Sequence, residues 1–98
     1  MIDYRPSFVD GIGGKSVFPR MLAEAQGLLD GSIVMTLEEI AFAVRLMAKR
    51  NRVIAEGAAG CAVAAALSGK AGPGKIVAIV SGGNIDSKVF CDIFCQPQ

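Results

Sequence analysis

Apolar positions change their period along this chain, and each change marks an element. The densest block is Ile76-Val77-Ala78-Ile79-Val80, an unbroken and largely β-branched run that ends at Ser81-Gly82-Gly83-Asn84. That pattern predicts a buried strand delivering a small polar loop. In open α/β sheets ligands sit just beyond the carboxyl ends of strands, so Ser81 to Asn84 is a candidate ligand turn.

Upstream, residues 1–7 are polar and contain Pro6, which predicts an irregular lead-in. Pro19 suits a first helical turn, and Met21, Leu22, Ala25, Leu28 and Leu29 continue at helical spacing. Asp30-Gly31 then predicts a left-handed cap. Ser32 to Met35 reads as a short strand. Thr36 with Glu39 has the capping-box spacing and opens a helix whose core face is Leu37, Ile40, Ala41, Val44, Met47 and Ala48. Val53-Ile54-Ala55 predicts another strand, Gly57-Ala58-Ala59-Gly60 a tight junction, and Cys61 to Ser68 a small-residue helix stopped at Gly69. After the turn Ala71-Gly72-Pro73-Gly74 and the Ile76 to Val80 strand, Asp86 or Ser87 caps a last helix through Val89, Phe90, Ile93 and Phe94. Strands alternating with helices imply an α/β fold: a small, mostly parallel sheet flanked by helices.

Length and composition narrow this picture. A chain of 98 residues supports a single domain, 1–98, with a marginal core. Apolar residues make up 52% and charged residues 19%, a greasy balance for so small a body, so part of the chain is expected to bury itself against something else. A formal net charge of +1 gives no global field for nucleic acid. The basic cluster Lys49, Arg50 and Arg52 follows the end of a helix, where it complements the dipole. The longest charge-free run, Gly57 to Gly69, is too short to span a bilayer, and no basic-then-apolar signal opens the chain. No membrane partner is expected, and the location expected is the cytoplasm.

The chemistry available is restricted as well. There is no histidine, which removes Ser-His and Cys-His nucleophile pairs, and Cys61, Cys91 and Cys95 lack C-x-x-C spacing, so no metal site is expected. The stretch Phe8 to Ser16 carries Gly11, Gly13 and Gly14 and ends in Gly-Lys-Ser, but Val9 stands where a phosphate loop needs its first glycine. Glu56 is the only charged residue between Arg52 and Lys70, at the entry to a glycine-rich helix start. It reads equally as an N-cap or as a carboxylate facing a ligand beside Ser81.

Three motifs in order carry a resemblance: Val9-Asp10-Gly11-Ile12, then Val53-Ile54-Ala55-Glu56 before a small-residue helix, then Val77 to Asn84. From Asp10 to Asp86 the chain resembles the C-terminal part of the large domain of fold type II pyridoxal-phosphate enzymes. The group is that of threonine/serine dehydratases and serine racemase, in the tryptophan synthase beta-like superfamily. The resemblance implies that Ser81 hydrogen-bonds the pyridine nitrogen of pyridoxal phosphate. It also implies that Gly82, Gly83, Asn84 and Glu56 lie beside the cofactor and Asp10 and Gly11 at the substrate end. A neutral hydroxyl at the ring nitrogen weakens the electron sink and suits β-elimination and deamination of hydroxy amino acids.

Two departures stand out. Gly57, Ala58, Ala59 and Gly60 occupy positions where the family usually has Pro, a small residue, Gly and Ala. The lysines at 15, 49, 70, 75 and 88 match the family's Ser-x-Lys-x-Arg setting nowhere, and the family's separate phosphate-binding glycine run is missing. The expectation is a partial large domain with no catalytic residue of its own, inactive alone, and without covalently held cofactor. The alternatives are a non-catalytic module that binds an amino-acid-like small ligand or self-associates as a homo-oligomer, and a subunit that completes a site with a missing partner segment.

Overall fold

The computed structural model describes residues 5–9, 11 and 17–95. Asp10, the Gly13-Gly14-Lys15-Ser16 loop and the first four residues of the lead-in lie outside the described residues. Among the described residues four α-helices follow in order: α1 (Pro19–Gln26), α2 (Leu37–Leu46), α3 (Gly57–Ser68) and α4 (Ser87–Phe94). A π-helical turn, Met47–Asn51, extends α2.

Local chemistry explains where these helices start and stop. Pro19 opens α1. The Thr36 hydroxyl accepts from the Glu39 N–H at 3.1 Å, and the Thr36 N–H donates back to Glu39 Oε1 at 3.0 Å, a complete capping box. The two Thr36 contacts, backbone first and hydroxyl second, hold the Glu39 carboxyl below its ordinary range, and Lys70 acts in the same direction. Because the charged form is the one held, the folded-state pKa lies below the unfolded one. This contribution is complete above the unfolded value and is lost as pH falls through the folded one. Glu39→Gln is therefore expected to lower the urea midpoint at neutral pH, with the difference from the parent chain vanishing in acid. A difference that persists in acid would contradict the assignment.

α2 is the central element. Ile40 and Ala43 pack with Val9 and Ala64, on the side of α3, while Ala41 and Val44 pack with Ile93 of α4. Gly60 sits where α3 crosses α2. A Cβ there would lie 2.6 Å from Cγ2 of Val44, a fully buried side chain. Arg45 is buried beside it, and its Nη1 donates to the Ile93 carbonyl at 3.2 Å, joining α2 to the end of α4.

Several expectations are corrected. Residues 57–60 are not a junction but the first turn of α3, because Glu56 caps the helix one turn earlier than the apolar pattern alone suggests. α1 stops at Gly27, which is right-handed with φ −80°, so Asp30-Gly31 supplies no left-handed cap. Leu28 and Leu29 are 84% and 66% exposed, so extending the helix through them would bury little apolar surface. Leu37, expected on the core face of α2, is exposed.

The sheet is the largest difference. Among the described residues no strand forms, and 32–35, 53–55 and 75–80 remain non-helical and without a ladder. Exposure nevertheless alternates along the last segment. Val77 and Ile79 are 90% and 74% exposed, whereas Ala78 between them is half-buried. That is the period of an extended chain with one covered and one open side. A ladder needs a neighbouring backbone in register, and no backbone hydrogen bond joins 75–80 to another described segment. The shape agrees: the radius of gyration is 14.3 Å and the shortest extent 20 Å. The accessible surface is 7509 Å², against about 5,300 Å² for a compact monomer of this mass. No described helix is long and apolar enough to cross a membrane.

Candidate functional site

The site is assembled around Glu56, and three separate stretches of chain reach it. Its carboxylate caps α3, accepting from the N–H of Ala59 at 2.6 Å through Oε1 and from the N–H of Ala58 at 3.0 Å through Oε2. Its own backbone N–H donates to the Gly82 carbonyl at 3.1 Å. That bond lays the end of 53–56 against the Ser81-Gly82-Gly83-Asn84 turn. The fit is close enough to demand glycine. A Cβ on Gly83 would lie 2.5 Å from the Ile54 carbonyl oxygen, and one on Gly82 would touch Glu56 Cγ at 3.7 Å.

The third stretch is the N-terminal one. A Cβ on Gly11 would stand 3.0 Å from Ala58 Cβ and 3.3 Å from Glu56 Oε2, so this glycine lies directly over the cap. Gly57 is pressed in turn against Phe8, whose carbonyl oxygen would be 2.6 Å from an added Cβ. Gly11, Glu56, Gly82 and Gly83 thus lie close together, while Asp10 lies outside the described residues.

Ser81 and Asn84 take different surroundings. Asn84 joins Glu56, Ser7, Phe8, Asp86 and Asp92 around a cleft of about 430 Å³ whose floor includes Val89 and Ile93. Ser81 is exposed and does not line that cleft. As an exposed residue it is accessible to a partner outside the chain. A hydroxyl of this kind suits a heteroaromatic ring nitrogen, because it can donate or accept without imposing a charge.

Phe8 and Gly57 were not legible as site residues. Phe8 packs against both core clusters and so fixes the stretch leading to Gly11. The available signal was a glycine directly after a capping carboxylate, where helix propensity disfavours it unless another backbone comes close. Among the described residues no group of acidic and cysteine side chains is gathered to hold a metal. Cys61 is half-buried, Cys91 and Cys95 are exposed, and all three thiols are free.

Comparison with known proteins identifies the family. The family described as "Pyridoxal-phosphate dependent enzyme" matches residues 1–82. An L-threonine ammonia-lyase of Thermotoga maritima is 37% identical over 86 residues, covering 87% of this chain and 21% of that protein. "L-threonine dehydratase catabolic TdcB" of Staphylococcus aureus is 42% identical over 64 residues, covering 60% of this chain and 18% of that protein. An L-threonine ammonia-lyase of Geobacter sulfurreducens is 33% identical over 86 residues, 86% of this chain and 21% of its own length. The chain therefore spans about a fifth of the curated relatives it matches. No solved structure matches it.

Proposed function

The chain belongs to the pyridoxal-phosphate dependent enzyme family, and from that premise we propose that it forms the ring-nitrogen wall of the cofactor site in a threonine/serine dehydratase-like enzyme. The observation that carries this reading is the 3.1 Å bond from the Glu56 N–H to the Gly82 carbonyl. It brings two of the three motifs to one point, with Gly11 of the remaining motif over the Glu56 carboxylate. When bound, the cofactor supplies the electron sink for β-elimination from a hydroxy amino acid. Ser81 contributes a neutral hydroxyl to the ring nitrogen, Gly82 and Gly83 admit the ring's edge, and Glu56 holds the wall to α3. In this reading 32–35, 53–55 and 76–80 are strands of a small parallel sheet.

The lysines of this chain do not stand in the family's motif, so the elimination itself is assigned to residues outside it. The amino-acid-like ligand alternative fits less well. The cleft beside Asn84 is ringed by Glu56, Asp86 and Asp92, and among the described residues no cation lines it to pair an amino acid's carboxylate.

The test is a fluorescence titration with pyridoxine 5′-phosphate, which has no aldehyde and so cannot condense with surface lysines. Saturable binding is expected. Ser81→Ala should weaken it about fivefold, the worth of one hydrogen bond near 1 kcal/mol. Equal affinities, or no saturable binding to the parent chain, would overturn the proposal.

A further inference from the structure

α4 carries two thiols that neither the core nor the cofactor wall uses. Its packed side belongs to Val89, Phe90 and Ile93, which meet Ala41 and Val44 of α2. Cys91 and Cys95 are both exposed and free, and neither lines the cleft beside Asn84. Free cysteine behaves as a small apolar group and is among the most often buried residue types, so packing does not explain two of them on the open side of one helix. The Cys95 N–H donates to the Cys91 carbonyl at 3.0 Å, which sets the pair one turn apart on one face. Lys88, also exposed, stands a turn before Cys91 on that face.

Spacing decides what such a pair can hold. Side chains one helical turn apart have Cβ atoms about 5–6 Å from each other, whereas a disulfide needs them about 3.5–4.5 Å apart. A direct bond between the sulfurs would have to unwind the end of α4. An atom that bridges them needs no such movement. The geometry points to a two-coordinate site on Cys91 and Cys95 for a soft monovalent cation of the Cu(I) type. Thiolate ligands select soft ions of this kind. A structural Zn(II) site takes four ligands, and among the described residues no third cysteine or acidic side chain gathers with these two. On binding, each thiol releases its proton to solvent and each sulfur donates an electron pair to the ion, whose oxidation state does not change. Two thiolates around one monovalent cation leave a single negative charge. Lys88 supplies positive charge on the same face, and Lys49, whose Nζ lies 5.5 Å from the Phe94 ring centroid, stands at the same end of α4. The site uses no residue of the cofactor wall, so it stands or falls apart from that reading.

The experiment titrates the reduced chain with Cu(I), in the absence of oxygen, against the coloured chelator bicinchoninate. One tightly held ion per chain is expected, with thiolate-to-copper charge-transfer absorption in the near ultraviolet. Cys91→Ser and Cys95→Ser should each weaken binding at least about 100-fold, the low end of what a second linked contact adds. Cys61→Ser should leave it unchanged. Both thiols of the pair are exposed, so circular dichroism of the metal-free variants should match the parent. Zn(II) should fail to displace the copper. Four results would each refute the site: no ion held against the chelator, a single variant of the pair that binds as tightly as the parent, equal loss on Cys61→Ser, or Zn(II) held as firmly as Cu(I). Light scattering on the loaded chain adds a fifth, since one ion shared between two copies would replace the pair on one helix with a bridge between chains.

Discussion

Gly83→Ala is expected to destabilise the chain by about 2 kcal/mol and to lower its urea midpoint without changing the slope. The methyl group would lie 2.5 Å from the Ile54 carbonyl oxygen, and a backbone atom cannot swing aside as a side chain can. Relief requires the two segments to part, which stretches the bond from the Glu56 N–H to the Gly82 carbonyl. Stability and cofactor affinity should therefore fall together. Gly31 provides the control, because nothing lies within 4 Å of its would-be Cβ and its backbone is not left-handed. Gly31→Ala should be neutral or slightly stabilising, through the unfolded chain alone. If Gly83→Ala behaves like Gly31→Ala, the close approach at the site is wrong.

Glu56→Ala is the second large effect, again about 2 kcal/mol, at the upper end for loss of an N-cap. Two amides lose their acceptor, and Ala59, whose N–H makes the shorter bond, is only 1% exposed, so water does not readily replace it. The more informative variants are Glu56→Asp and Glu56→Ser, because both residues cap helices well. Each should recover most of the lost stability. If Glu56 only caps, Glu56→Ser should also restore binding of pyridoxine phosphate to the parent level. If the carboxylate contributes to the wall, stability returns and affinity does not. Thermal melts and the same fluorescence titration distinguish the two.

The legible part of the fold was its punctuation. Pro19, the Thr36/Glu39 box, the Asp86 cap and the left-handed Gly69 all fall where the pattern placed them. Each of these signals is satisfied by groups within about four residues, so no distant contact is needed to settle it. Most of the predicted core face of α2 is also found, with Ile40, Ala41, Val44 and Ala48 buried. Arg45 is buried as well, which periodicity could not anticipate. Its partner is the Ile93 carbonyl, 48 residues away.

The motifs Val9 to Ile12, Val53 to Glu56 and Val77 to Asn84 identified the family because their order and composition survive whatever the chain packs against. They also named the stretches that meet at the site. Whether Glu56 caps a helix or faces a ligand was undecided by spacing, and the structure shows the cap while leaving Gly11 over its carboxylate.

The sequence by itself thus determined the presence and order of the four described helices, most of their caps and the family, since those depend on local backbone bonding and on residue order. The tertiary structure alone decided that Glu56 is held to Gly82, that Phe8 closes on Gly57, and that 75–80 stands without a ladder. Those outcomes depend on what lies beside each segment in space. A strand becomes part of a sheet only when another backbone offers it hydrogen bonds, and an apolar run such as Ile76 to Val80 states the need for that neighbour without containing it.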